Sequence, residues 1–112
     1  MCVICTKEYD EDITELDCYD CLNLVSIPSL LNLTKLDCSY CPFLTFISIL
    51  PNLTYLNCSG CPLLTIIPSL PELTKLDCYN CRSLTTIHSL PELADLNCQS
   101  CSSLTSIPFC SI

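Results

Sequence analysis

From Ile13 onward the apolar positions of the chain fall at steps of three, two, three, three and three residues, and then the series begins again. In the stretch LTYLNCSGCPLLTIIPSLPE these positions are Leu53, Leu56, Cys58, Cys61, Leu64 and Ile67. The step of two is the period of a β-strand, and the steps of three are too irregular for one long strand. The pattern predicts a short strand followed by a series of turns. The back half of the unit carries Pro28, Pro51, Pro68, Pro71, Pro91 and Pro108. So few residues with so much proline cannot hold an α-helix, and extended or polyproline-like chain is expected there.

The unit recurs without insertion or deletion every 20 residues, in copies that begin at Ile13, Leu33, Leu53, Leu73 and Leu93. Residues 1–12 stand outside the series and are expected to form an N-terminal cap. Residues 13–112 make five 20-residue repeats with a short C-terminal end. One coil of this kind has no second face to bury against. Stacked coils share a continuous core, with parallel strands about 4.8 Å apart.

The unit L-T-x-L-D/N-C-x-x-C-x-x-L-T-x-I-P-S-L-P-x resembles leucine-rich repeats over residues 13–110, with Leu53, Leu56, Cys58, Cys61 and Leu64 on the family pattern. Its length and the segment IPSLPEL resemble the short repeats of bacterial effectors. Its regular cysteines resemble repeat proteins of large amoebal DNA viruses. The resemblance implies a right-handed solenoid with a parallel β-sheet, an extended or polyproline-like convex side and little or no α-helix. The departure from the family is that the third strand leucine is cysteine in every copy.

Composition narrows the function. Half of the residues are hydrophobic, and the chain carries 12 acidic and 4 basic side chains, for a net charge of −8. Such a charge excludes a phosphate-tracking surface for nucleic acid and disfavours an anionic membrane. The opening MCVICTKEYDEDI shows no secretion signal, and no apolar run reaches the length of a membrane span. The expected location is the cytoplasm, or the host cytoplasm for a viral or effector protein. A cytosolic setting favours reduced thiols for the 13 cysteines.

Ten of those cysteines form two columns: Cys18, Cys38, Cys58, Cys78 and Cys98, then Cys21, Cys41, Cys61, Cys81 and Cys101. The family pattern points both inward and places the second at a turn where a side chain bonds backbone. The plainest reading is buried thiols that fill a thin core. Disulfides between in-register neighbours would be strained, because their Cβ vectors run parallel. A ladder of metal sites would need thiolates in an apolar core without second-shell donors. At the N-terminus the spacing differs. Cys2, Cys5, Cys18 and Cys21 have the general form of a zinc site. The first of these residues resemble the start of a RING finger, but the resemblance stops at Cys5, because the further Cys and His are missing. The expectation is no cofactor, with zinc at this cap as the alternative.

In the family, residues beside the inward strand positions face outward on the concave sheet and bind partners. Here these are the column Asp17, Asp37, Asn57, Asp77 and Asn97, the column Glu15, Lys35, Tyr55, Lys75 and Asp95, and Tyr19 and Tyr79 beyond. Their chemistry fits a basic or polar protein partner, and tyrosine is enriched at interfaces. The plainer reading of the Asp/Asn column is a strip that solvates the sheet. The threonine columns read as structural. There is one histidine, His88, no glycine-rich phosphate loop and no nucleophile–base pair. The expected function is therefore a non-enzymatic protein-interaction module. The alternatives are a metal-binding or redox-active stacked-cysteine protein and a self-assembling structural repeat. End-to-end association is expected from the apolar C-terminal segment SIPFCSI, which brings no polar cap.

Overall fold

In the computed structural model, which describes residues 2–105, a parallel β-solenoid follows one short helix. Helix α1 spans Val3–Thr6. The strands alternate between two faces. On the first face lie β1 (Glu15–Asp17), β3 (Lys35–Asp37), β5 (Tyr55–Asn57), β7 (Lys75–Asp77) and β9 (Asp95–Asn97). On the back lie β2 (Ser26–Ile27), β4 (Phe46–Ile47), β6 (Ile66–Ile67) and β8 (Thr86–Ile87). The odd strands form one five-stranded parallel sheet in chain order. Each residue pairs with its equivalent in the next coil: Leu16 with Leu36, Leu36 with Leu56, Leu56 with Leu76, and Leu76 with Leu96.

Every coil turns by the same devices. The Leu50 carbonyl accepts the Leu53 N–H at 3.1 Å, a β-turn with Pro51 in its second place, where the fixed φ of proline is favourable. Leu70–Leu73 and Leu90–Leu93 repeat it with Pro71 and Pro91. A second turn joins Cys41 to Leu44 and Cys61 to Leu64. The corner just after the sheet needs a left-handed residue. Asp20, Tyr40, Gly60, Asn80 and Ser100 all have φ between 55° and 68° there. Gly60 meets this demand without cost, and Asp and Asn tolerate it.

The core is the inward series of every coil. In the third coil Leu53, Leu56, Cys58, Cys61, Leu64, Ile67 and Leu70 are all 0% exposed. Cysteine in place of leucine lets the two faces close up, and the body measures 40 × 26 × 16 Å. The threonine columns fasten the coils. Thr34, Thr54 and Thr74 each donate a hydroxyl to the threonine carbonyl of the preceding coil at 3.0–3.1 Å.

The back is more regular than polyproline-like chain, and proline sets where it breaks. Ser48 N–H donates to Ile27 at 3.1 Å, and His88 N–H donates to Ile67 at 3.0 Å. Pro68 stands at the same place in its coil and has no N–H to return to Ile47. The back strands therefore pair as β2 with β4 and β6 with β8. The segment expected to drive end-to-end association lies outside the described residues.

Candidate functional site

The outer face of the five-stranded sheet carries the columns that the repeat predicts, in register. Glu15, Lys35, Tyr55, Lys75 and Asp95 pair one to the next across it. The Lys75 ammonium lies 5.8 Å from the centre of the Tyr55 ring, within cation–π range. Glu15, Asp17, Lys35, Asp37 and Tyr55 line a shallow hollow of about 260 Å³. Burial raises the pKa of the Tyr55 hydroxyl, and the Asp77 and Asp37 carboxylates push it the same way.

The Asp/Asn column also ends the strands. Asp17 accepts the Tyr19 N–H and Asp37 the Ser39 N–H, both at 3.0 Å. Asn57 accepts the Ser59 N–H at 3.1 Å and Asn97 the Gln99 N–H at 3.2 Å. These are Asx-turns: a short side-chain carbonyl two residues back stands in for a backbone acceptor. The fourth coil differs, because the Tyr79 N–H donates to the Ser59 hydroxyl of the coil before it at 3.2 Å. Each Asp engaged this way still presents its other oxygen. Along the rim, the rings of Tyr19 and Tyr40 meet edge to face at 5.9 Å. Tyr40 lies against Gly60, where a Cβ would come within 2.5 Å of the ring.

Residues 32–72, which span two coils at the centre of this sheet, match the family model for leucine-rich repeats in two copies. Over those residues the chain is similar to leucine-rich repeats. No curated protein and no solved structure matches it. Leucine-rich repeats are commonly protein-interaction modules, and repeats of this kind offer extended concave surfaces for binding.

Within the stacked coils the second cysteine column holds the turn. The thiol of Cys41 donates to the Cys18 carbonyl of the preceding coil at 3.0 Å. Cys61 donates to Cys38 at 3.2 Å, Cys81 to Cys58 at 3.0 Å, and Cys101 to Cys78 at 2.9 Å. Burial holds most of these thiols in the protonated, donating form. It pushes Cys41 up to about 11 and Cys61 up to about 12. It also raises Cys38 and Cys78 in the first column. No disulfide joins the twelve described cysteines.

The first coil departs from this rule. Against Cys21, among the described residues, the N-terminal segment stands where a preceding coil stands against Cys41. The C-x-x-C spacing puts Cys2 at the start of α1 and Cys5 one turn on, on the same side. The Cys2 and Cys5 sulfurs are 3.9 Å apart, and the Cys5 and Cys21 sulfurs 3.5 Å. The Cys2 N–H donates to the Cys21 sulfur at 3.4 Å. Among the described residues, these three make the one set of Cys, His, Asp or Glu ligand atoms that lie mutually within 4.8 Å. Cys18, grouped with them by spacing, is not in the set. It is buried at the end of β1, and burial raises its pKa. Burial also lifts Cys5 to about 12. For Cys21 burial acts upward too, but N–H donation from Cys2 and Asn23 and the neighbouring thiols outweigh it and bring the group down to about 7.

Sequence reasoning missed the left-handed column. Asp20, Gly60 and Asn80 carried its signal, since these are the residue types that tolerate positive φ. Tyr40 and Ser100 hid it.

Proposed function

We propose that the protein is a non-enzymatic module that binds a basic or polar protein partner on the outer face of its five-stranded sheet. The observation that carries this reading is the in-register display of Glu15, Lys35, Tyr55 and Lys75 beside the Asp17/Asp37 carboxylates. The parallel ladder holds the backbone under these side chains at fixed intervals, so binding them costs no backbone ordering entropy. The negative charge concentrates toward the first coil. Glu15, Asp17 and Asp37 surround Lys35 there, and a second hollow lined by Glu8, Asp10, Asp12 and Glu15 adjoins them. Acidic groups in this arrangement steer a basic partner and speed its approach. The Asx-turns leave oxygens of Asp17 and Asp37 for such contacts, so the column serves both the fold and the surface. A reducing cytoplasm suits a core whose described cysteines form no disulfide.

The test is photo-crosslinking in cells. A benzophenone amino acid replaces Tyr55 on the sheet face or Ser69 on the back. The proposal expects a discrete crosslinked partner from position 55, absent from position 69 and weakened by Asp17→Lys together with Asp37→Lys. Crosslinking confined to position 69 would place binding on the other face and overturn it.

A further inference from the structure

The second cysteine column has a rule, and only its first member breaks it in a way that frees a sulfur. From the second coil on, each such thiol is spent as a donor to a carbonyl 23 residues earlier. Cys21 makes no such bond among the described residues, and its sulfur accepts the Cys2 N–H. A sulfur that accepts a backbone N–H beside two further sulfurs has the surroundings of a metal-bound thiolate, whose charge is supported by such donors.

We infer that Cys2, Cys5 and Cys21 form a site for one zinc ion at the N-terminal end of the solenoid. A zinc–sulfur bond of about 2.3 Å places the sulfurs of a tetrahedral site about 3.8 Å apart. The observed spacings of 3.9 and 3.5 Å need only small rotations to meet that edge. The donor set is all sulfur, which selects a thiophilic ion over magnesium or calcium. Cys18 touches Cys2 but is buried and lies outside the three mutually close sulfurs, so the site has three protein ligands and an outer position taken by water. Cys2 and Cys5 are half-buried and Cys21 is 3% exposed, so an ion can reach the cluster from the cap side. Binding displaces the thiol protons into solvent. The ion would tie the cap to the first coil, which no earlier coil holds. This assignment does not depend on the partner face.

The full chain, purified anaerobically with its 13 thiols reduced and metal removed, is titrated with Zn²⁺ against a chromophoric chelator. Cd²⁺ serves as a second probe through its sulfur charge-transfer band. One equivalent is expected. Removing an outer partner of a ligand costs 10–100-fold, so Cys5→Ser should weaken binding by at least about 100-fold. Cys2→Ser, a second variant in the cap, should do the same. Cys101→Ser, in the same column at the other end, should leave affinity unchanged. Circular dichroism confirms that each variant is folded. No binding by fully reduced protein would overturn the inference. So would cap variants that bind as tightly as the unmutated chain, several equivalents per chain, or the loss of two thiols to a Cys5–Cys21 disulfide under metal-free anaerobic conditions.

Discussion

Replacing Gly60 by alanine probes two demands at one corner. Gly60 has φ +68°, a conformation that costs an L-residue about 1–2 kcal/mol. The alanine also restricts the unfolded chain, which offsets about 0.4–1 kcal/mol. The backbone part therefore comes to about 1 kcal/mol. The new Cβ would stand 2.5 Å from both Tyr40 Cδ1 and Cε1. Tyr40 is 44% exposed, so its ring can swing outward rather than force the coil apart. Swinging out breaks its edge contact with Tyr19, worth about 0.5–1.5 kcal/mol. The expected total is about 2 kcal/mol. A double-mutant cycle in urea separates the parts. In a Tyr40→Ala background Gly60→Ala should cost only the backbone part, about 1 kcal/mol. Equal costs in both backgrounds would refute the claim that Gly60 makes room for the Tyr40 ring. A cost near zero would refute the positive φ itself.

Three further outcomes follow from the packing and the turns. Leu56→Ala in the central coil should cost about 2–5 kcal/mol by denaturant titration, and the same change at the half-buried Leu96 clearly less. Asp37 accepts both the backbone N–H and the hydroxyl of Ser39, which is 2% exposed, so Asp37→Ala should cost about 1–3 kcal/mol. Asp37→Asn keeps the accepting oxygen and should be tolerated in stability while lowering the charge of the partner face, so unfolding and binding assays will separate the two roles. In metal-free protein, ultraviolet absorbance should show one thiolate forming near pH 7, missing in Cys21→Ser, because Cys21 is brought down to about 7 while Cys5 is lifted to about 12. The sign follows from the lowered pKa. Cys21 contributes stability above its unfolded pKa near 9, and that contribution is lost as pH falls through 7, so Cys21→Ser should flatten the pH profile of unfolding between these values.

The unbroken period of the chain was enough to place the strands, their parallel pairing and the inward columns. A side-chain pattern repeated without insertion leaves one register that stacks the inward leucines coil on coil, as the pairing of Leu16, Leu36, Leu56, Leu76 and Leu96 shows. The turns were legible as far as residue type reveals backbone: Pro51, Pro71 and Pro91 announce theirs, whereas Tyr40 conceals a left-handed corner. Even the broken back sheet is written in Pro68, although its meaning emerges only beside Ser48 and His88, which keep their N–H. What the tertiary structure alone decided is what each repeated residue touches across the coil boundary. Asp37 and Asn57 look like display residues, yet each also closes its own turn. Cys21 and Cys41 occupy the same repeat position, yet Cys41 meets a carbonyl of the preceding coil and Cys21 meets the N-terminal segment. Spacing joined Cys18 to Cys2, Cys5 and Cys21, yet the buried Cys18 touches Cys2 without joining the three sulfurs that lie mutually within 4.8 Å. A period describes neighbours that recur. The ends of a solenoid, where the recurring neighbour is absent, take their chemistry from whatever segment the fold brings there.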